Sequence, residues 1–269
     1  MQINSRATAQ SAPASLPRAD RVWITASLIA IAAVSWLYLL ILDHEMSGMQ
    51  MESTMKTAMQ PMAKTWSAID LGLTFTMWWV MMIGMMLPSA LPMVMMFARV
   101  NRNKRETGKP YVPTMVFAAG YLLAWGIYSL AATGAQWAME SFALMSPMGA
   151  ISSAILGGIV FVAAGIYQFT PLKQACLRHC RSPLSFILNA WRDGSTGALQ
   201  MGASHGFYCL GCCWILMALL FVVGVMNLLW AAIIAMFVLA EKLLPASRWT
   251  SRIAGAAMCA WGLFLIAQS

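Results

Sequence analysis

The sequence predicts an all-α protein, a polytopic membrane helical bundle of about seven transmembrane helices with its N-terminus in the cytoplasm. Three observations predict this. Of the 269 residues, 60% are hydrophobic and only 10% are charged, with a mean hydropathy of +0.69. A soluble domain carries about 25% charged residues, so the outer surface of this chain must face lipid. Its apolar residues also fall in runs of about 20, the length that crosses a hydrocarbon core. Finally, its lysines and arginines sort to one side of those runs.

The apolar segments are 22–42, 71–98, 114–137, 150–170, 199–225, 228–245 and 253–268. Residues 1–20, rich in Ser, Ala, Pro and Gln, read as a disordered cytoplasmic tail, and 21–269 as a single membrane domain. The first run follows Arg6, Arg18 and Arg21 and leads into Asp43, His44, Glu45 and Met46 with no small-x-small cleavage site. It therefore reads as a retained signal anchor.

Cytoplasmic loops carry the excess of Lys and Arg. With the N-terminus inside, every Lys and Arg except Lys56 and Lys64 falls on the cytoplasmic side. The net charge of +8 is then a topology signal, and no nucleic-acid partner is expected. The partner is the lipid bilayer.

Two stretches interrupt the regular pattern. Pro88 and Pro92 lie inside segment 71–98, where a proline removes a backbone donor and clashes with the preceding turn. A kink or break is expected there. The stretch 183–191 is too short to span, and should lie at the inner interface or re-enter. The connections of chemical interest are a Met-rich outer loop, 43–70, and a Cys-rich inner loop, 171–198.

Chemistry concentrates in three places. The first is the run from His205 to Cys213, with Cys209 and Cys212 between them. At about 100° per residue, these side chains and Met201 share a stripe about 120° wide on one helix face. His205 and Cys213 are nevertheless about 12 Å apart along the axis, too far for one ion. The second is Cys176-x-x-x-Cys180 in the inner loop, with His179 between. Cytoplasmic thiols are kept reduced, so clustered cysteines there point to metal binding or catalysis rather than a disulfide framework. The third is methionine, 24 residues in all. The outer loop holds His44, Met46, Met49 and Met51, and segment 71–98 holds Met77, Met81, Met85 and Met86 among others. Thioether and thiolate ligands select Cu(I).

Each feature has a plainer reading. Methionine fills irregular cores, and segment 71–98 is apolar all round, so its stripe is not distinctive. Cys259 reads as an inert small hydrophobe, His44 and His179 as solvated loop residues, and Glu241 as an interfacial anchor or a partner for Lys242. Arg192 and Asp193 read as a loop-closing turn.

Several stretches resemble an uncharacterised bacterial family of predicted metal-binding integral membrane proteins. They are WWVMMIGMMLPSALP, YQFTPLKQACLRHCRSPLSF, WRDGSTGALQMGASHGFYCLGCCW, GVMNLLW and AEKLLP. The resemblance covers over half the chain and implies a metal role for Cys176, Cys180, His205, Cys209, Cys212 and Cys213, with Met85 and Met86 as weaker positions. The outer Met-rich loop falls outside it.

The expected function is Cu(I) handling in a bacterial inner membrane through the inner Cys/His cluster and the Met-rich segments. A copper chaperone or cuproenzyme would be the partner, and a binding role is expected rather than a catalytic one. Three alternatives use the same residues. Cys209-x-x-Cys212 has the spacing of a redox pair and suits a membrane thiol oxidoreductase, although sidedness argues against it. A structural Zn(II) site would close four Cys and His ligands around one ion. Haem would need a second histidine at a depth comparable to His205.

Overall fold

The computed structural model describes residues 16–56, 66–106, 112–146, 149–244 and 247–269, of which 46–56, 105–106 and 247–248 are described by backbone alone. Most of the predicted tail lies outside the described residues. Among the described residues the chain forms ten helices. They are α1 (Arg18–Lys56), α2 (Ala68–Glu106), α3 (Thr114–Ser141), α4 (Ala154–Phe169) and α5 (Pro171–Arg181). After these come α6 (Pro183–Ala190), α7 (Gly194–Ala218), α8 (Leu220–Val223), α9 (Leu228–Leu243) and α10 (Ser247–Ala267).

Five helices are long and apolar enough to cross a membrane: those of Arg18–Glu45, Ala68–Lys104, Thr114–Ser141, Gly194–Val223 and Trp249–Ala267. A sixth arises if α4 and α5, bent by 64° at their junction, form one span. The predicted segment 228–245 is α9, a helix of 16 residues. Length and composition thus give five or six spans of an all-α multi-pass bundle.

The α4–α5 bend follows from local chemistry. A residue before proline is pushed out of the helical region, and Thr170, before Pro171, is extended at φ −68° and ψ 143°. Its hydroxyl then accepts the Lys173 amide at 3.3 Å and caps α5. The other prolines behave differently. α2 runs as one helix across both Pro88 and Pro92, where a kink or break was expected. Packing against neighbouring helices buries most of its middle, and such packing lets prolines stay within membrane helices; Pro88 is half-buried and Pro92 exposed.

α2 is the central element: 61% of its apolar window is buried, against 22% in α1 and 17% in α10. Met81, Met82, Met85, Met86 and Met93 are all buried, with Met77 at the edge of the core. α1 and α3 flank α2, α7 lies on α3, and α10 lies on α4.

Two of these contacts depend on missing side chains, because lipid offers helices no hydrophobic incentive to associate and close backbone approach must supply the attraction. A Cβ on Gly202 of α7 would collide with the Phe117 carbonyl of α3, and one on Gly120 with the Leu199 carbonyl. On α4 and α10 the pairing is reciprocal. A Cβ on Gly158 or Gly165 would sit 2.7 Å from the carbonyl of Gly262 or Gly255 respectively.

The predicted loops contain helix. α1 continues through the first part of the outer Met-rich segment to Lys56, and residues 57–65 lie outside the described residues. His44 is exposed there, whereas Met46, Met49 and Met51 are described by backbone alone. The inner Cys-rich segment holds α5, α6 and the start of α7. The stretch expected to lie at the interface or re-enter is α6, eight residues long.

Candidate thiol site on α7

α7 begins after Asp193 with Gly194 at φ +80°, a backbone conformation that suits glycine. The close α3 contact at Gly202 and Gly206 then turns one face of α7 toward Tyr121. His205, Cys209, Cys212 and Cys213 are all buried on α7.

Cys209 is the centre of the site. Its sulfur lies 2.9 Å from the Lys242 ammonium, which donates from α9, and 3.1 Å from the Tyr121 hydroxyl of α3. Lys242 also donates to Ser89 Oγ of α2 at 2.7 Å. The Tyr121 hydroxyl is 3.1 Å from the Met86 carbonyl, to which it can donate. Groups from α3 and α9 therefore meet at one sulfur of α7, and α2 backs both through Ser89 and the Met86 carbonyl. Among the described residues Lys242 has Ser89 and Cys209 as hydrogen-bond partners and no carboxylate. A buried charge left without a partner is costly, which makes Cys209 the natural counter-charge.

The other predicted residues take separate positions. The Cys212 and Cys213 thiols both donate to the Cys209 carbonyl at 3.0 Å. Cys213 is also 4.0 Å from Met86 Sδ, and Met85 is buried nearby on the same helix. Cys180 of α5 is half-buried and packs against the core that holds Cys209 and Cys212. Cys176 lies against Gly211 of α7. His205 is one turn away in an aromatic pocket, its ring centroid 5.7 Å from Tyr121 and 5.6 Å from Phe186, and its Nδ1 has no hydrogen-bond partner. Cys259 stands apart in the α4–α10 contact.

This geometry corrects the expected mechanism. Among the described residues, no group of three or more His, Cys, Asp or Glu is placed to hold a metal ion. The inner Cys/His cluster therefore does not form a Cu(I) site, and no closed four-ligand Zn(II) site is resolved among those residues either. The physical reason lies in the first contacts. The Cys209 sulfur already has an ammonium as its partner. Cys212 and Cys213 direct their protons at a carbonyl, and the His205 ring is held among aromatic rings.

Three further expectations change. Glu241 does not pair with Lys242; it holds Lys173 at 2.8 Å through both oxygens, and both residues are buried. Gln168 and Ser251 complete that network. His179 is not a loop residue but belongs to α5, where its ring stacks on Tyr208 at 4.2 Å and 3°. Asp193 is more than a turn residue, since it accepts from Lys104 at 2.9 Å and from Trp191 at 2.8 Å.

Sequence reasoning missed Tyr121, Ser89 and Lys242 as parts of the site. One signal was available for Lys242. Neighbours at i and i+1 on a helix do not face each other, so two adjacent charges near the end of an apolar span each require a partner elsewhere. Tyr121 and Ser89 carried no comparable mark, because only the α3–α7 and α2–α9 contacts bring them to Cys209.

A family model described as PpoB2, copper chaperone, matches residues 75–265. The match runs from α2 into α10 and takes in every residue around Cys209. No curated protein and no solved structure matches the chain.

Proposed function

The chain belongs to the PpoB2 copper-chaperone family, and on that premise we propose that it is a membrane thiol oxidoreductase working in copper handling. The observation that carries this reading is Cys209, held between Lys242 and Tyr121 with Cys212 one turn further along α7. A thiolate is the reactive form of cysteine, and a neighbouring cation supports it. Lys242 is that cation. The Tyr121 hydroxyl, within hydrogen-bonding distance of both Cys209 and the Met86 carbonyl, steadies the charge on the sulfur by donating to it.

Copper is a substrate in this reading, not a resident ion. The Cys209 thiolate and the Cys212 thiol together lose two electrons and one proton, which passes to solvent, and join as a disulfide. Each of two Cu(II) ions takes one electron and leaves as Cu(I). The thioethers of Met85 and Met86 offer the departing ion soft neighbours. His44, Met46, Met49 and Met51 meet copper first on the opposite side of a seven-span bundle whose N-terminus is cytoplasmic. In that topology, in a bacterial inner membrane, the thiol site opens toward the reducing compartment. Disulfides there are transient and catalytic, which fits a turning-over pair. The Cu(I) product passes to a soluble copper carrier or a cuproenzyme.

The test is anaerobic titration of detergent-purified, fully reduced protein with Cu(II) sulfate. Cu(I) is read with bathocuproine disulfonate and free thiols with Ellman's reagent. Two thiols lost for two Cu(I) formed, and neither in Cys209→Ser, is the expected result. Copper retained by protein whose thiols all remain free would sink the reading.

A further inference from the structure

An open groove on the surface of the bundle plays no part in the copper step. It lies between α5, α6 and α7 and encloses about 500 Å³, a volume in the range of small-molecule sites. Arg178 and His179 of α5, Ser182 and Ser185 at the start of α6, and Ser204 of α7 line it, and among the described residues no acidic side chain does.

The cations of segment 171–198 differ in what they hold. Lys173 is paired with Glu241, Arg181 donates to the Leu244 carbonyl, and Arg192 donates to Gln200. Asp193, the acidic residue of this segment, accepts from Lys104. Arg178 is exposed and has no hydrogen-bond or ion-pair partner among the described residues. The hydroxyls of Ser182 and Ser204 are exposed beside it, and Ser182 does not cap α6. A guanidinium presents a planar fork of donors that matches a phosphate group, and serine hydroxyls add neutral donors. His179, stacked on Tyr208, makes a fixed wall.

Apolar side chains frame this polar groove. Leu184 and Leu188, one turn apart on α6, are exposed, and so is Phe207 on α7, three residues from Ser204. A helix that is polar along one side and exposes leucines along another suits the membrane interface, with its apolar side against acyl chains. A free anion would engage Arg178 and the serines and leave the leucines unused. A zwitterionic headgroup would bring an ammonium to a groove that offers it no carboxylate. An anionic phospholipid matches both the guanidinium and the apolar frame.

We propose that the groove is a headgroup site for an anionic phospholipid. Arg178 holds the phosphodiester, Ser182 and Ser204 donate to its oxygens, and the acyl chains run over Leu184, Leu188 and Phe207. Phe186 lines the groove and also packs against His205, so a seated lipid bridges α5, α6 and α7 and braces the wall of the buried site. No thiol takes part, and the lipid site is independent of the reaction at Cys209.

The test is native mass spectrometry of the full chain, purified in detergent, delipidated and titrated with dioleoyl phosphatidylglycerol or dioleoyl phosphatidylcholine, each with and without inorganic phosphate. The wild type should hold a single phosphatidylglycerol on the order of tenfold more tightly than phosphatidylcholine, the worth of one charge-assisted contact. Arg178→Gln should erase that preference, and Ser204→Leu should weaken phosphatidylglycerol binding several-fold. Arg192→Gln removes an exposed cation outside the groove and should change neither lipid. Thermal melts in detergent give a second readout, since a ligand of the folded state stabilises it. Phosphatidylglycerol should raise the melting temperature of the wild type more than that of Arg178→Gln. Equal binding of the two lipids by the wild type, or equal losses in Arg178→Gln and Arg192→Gln, would overturn the site. Displacement of phosphatidylglycerol by inorganic phosphate at comparable concentration would overturn the lipid as its occupant in favour of a free anion.

Discussion

The Lys242 ammonium and the Cys209 sulfur lie 2.9 Å apart, although 33 positions separate them in sequence and they stand on different helices. This contact joins α7 to α9 at the point where α2 and α3 also arrive through Ser89 and Tyr121. It explains how a chain of the copper-chaperone family can gather several thiols without arranging them around an ion. A cation of the protein's own already partners the central sulfur.

Replacing Lys242 with Met removes that charge while keeping a similar volume. Copper-driven formation of the Cys209–Cys212 disulfide should slow on the order of tenfold, because the thiolate loses its counter-charge. Stability should hold, since Cys209 can take up a proton once Lys242 is gone and no buried charge is then left unpaired. Thiol counts taken in denaturant during a Cu(II) titration and a thermal melt in detergent check both halves.

Tyr121→Phe should act on the same sulfur more gently. It removes one hydrogen bond to Cys209 and one to the Met86 carbonyl, a loss of about 1 kcal/mol for each. Copper-driven disulfide formation should slow several-fold while the melting temperature falls only slightly. An unchanged rate would remove Tyr121 as a support of the thiolate.

The Lys173–Glu241 pair makes the opposite prediction to Lys242→Met. Glu241→Gln leaves a fully buried ammonium beside neutral partners, and breaking a buried pair costs about 3–5 kcal/mol. The melting temperature should drop sharply. The double variant Lys173→Met with Glu241→Gln should recover most of that loss. If single and double variants melt alike, the pair is not what holds α5 to α9.

Gly202 and Gly134 test the helix contacts. Gly202→Val forces a side chain into the Phe117 carbonyl, and overpacking of this kind costs about 1–3 kcal/mol. It should also part Tyr121 from Cys209 and slow disulfide formation. Gly134→Ala meets nothing within 4 Å and removes a helix-interior glycine, so stability should hold or rise by up to about 1 kcal/mol. Melting temperatures of the two variants should diverge in that order.

What the sequence determined by itself was the class of protein and the location of its chemistry. A composition with 60% hydrophobic residues admits only a lipid-facing surface, and apolar run length locates spans because both are one-dimensional properties of the chain. Helical periodicity placed His205, Cys209, Cys212 and Cys213 on one face of α7, where they are buried. Run length was less able to separate a straight span from α4 and α5, since the 64° bend follows from the extended Thr170 before Pro171. Spacing could show that thiols share a face, but not what stands opposite them. Tertiary structure decided that. The glycine contacts of α3 with α7 set Tyr121 beside Cys209, and the arrival of α9 supplied an ammonium. Whether a set of sulfurs binds an ion or exchanges electrons depends on the third and fourth groups around them, which come from elements distant in sequence that only packing brings together.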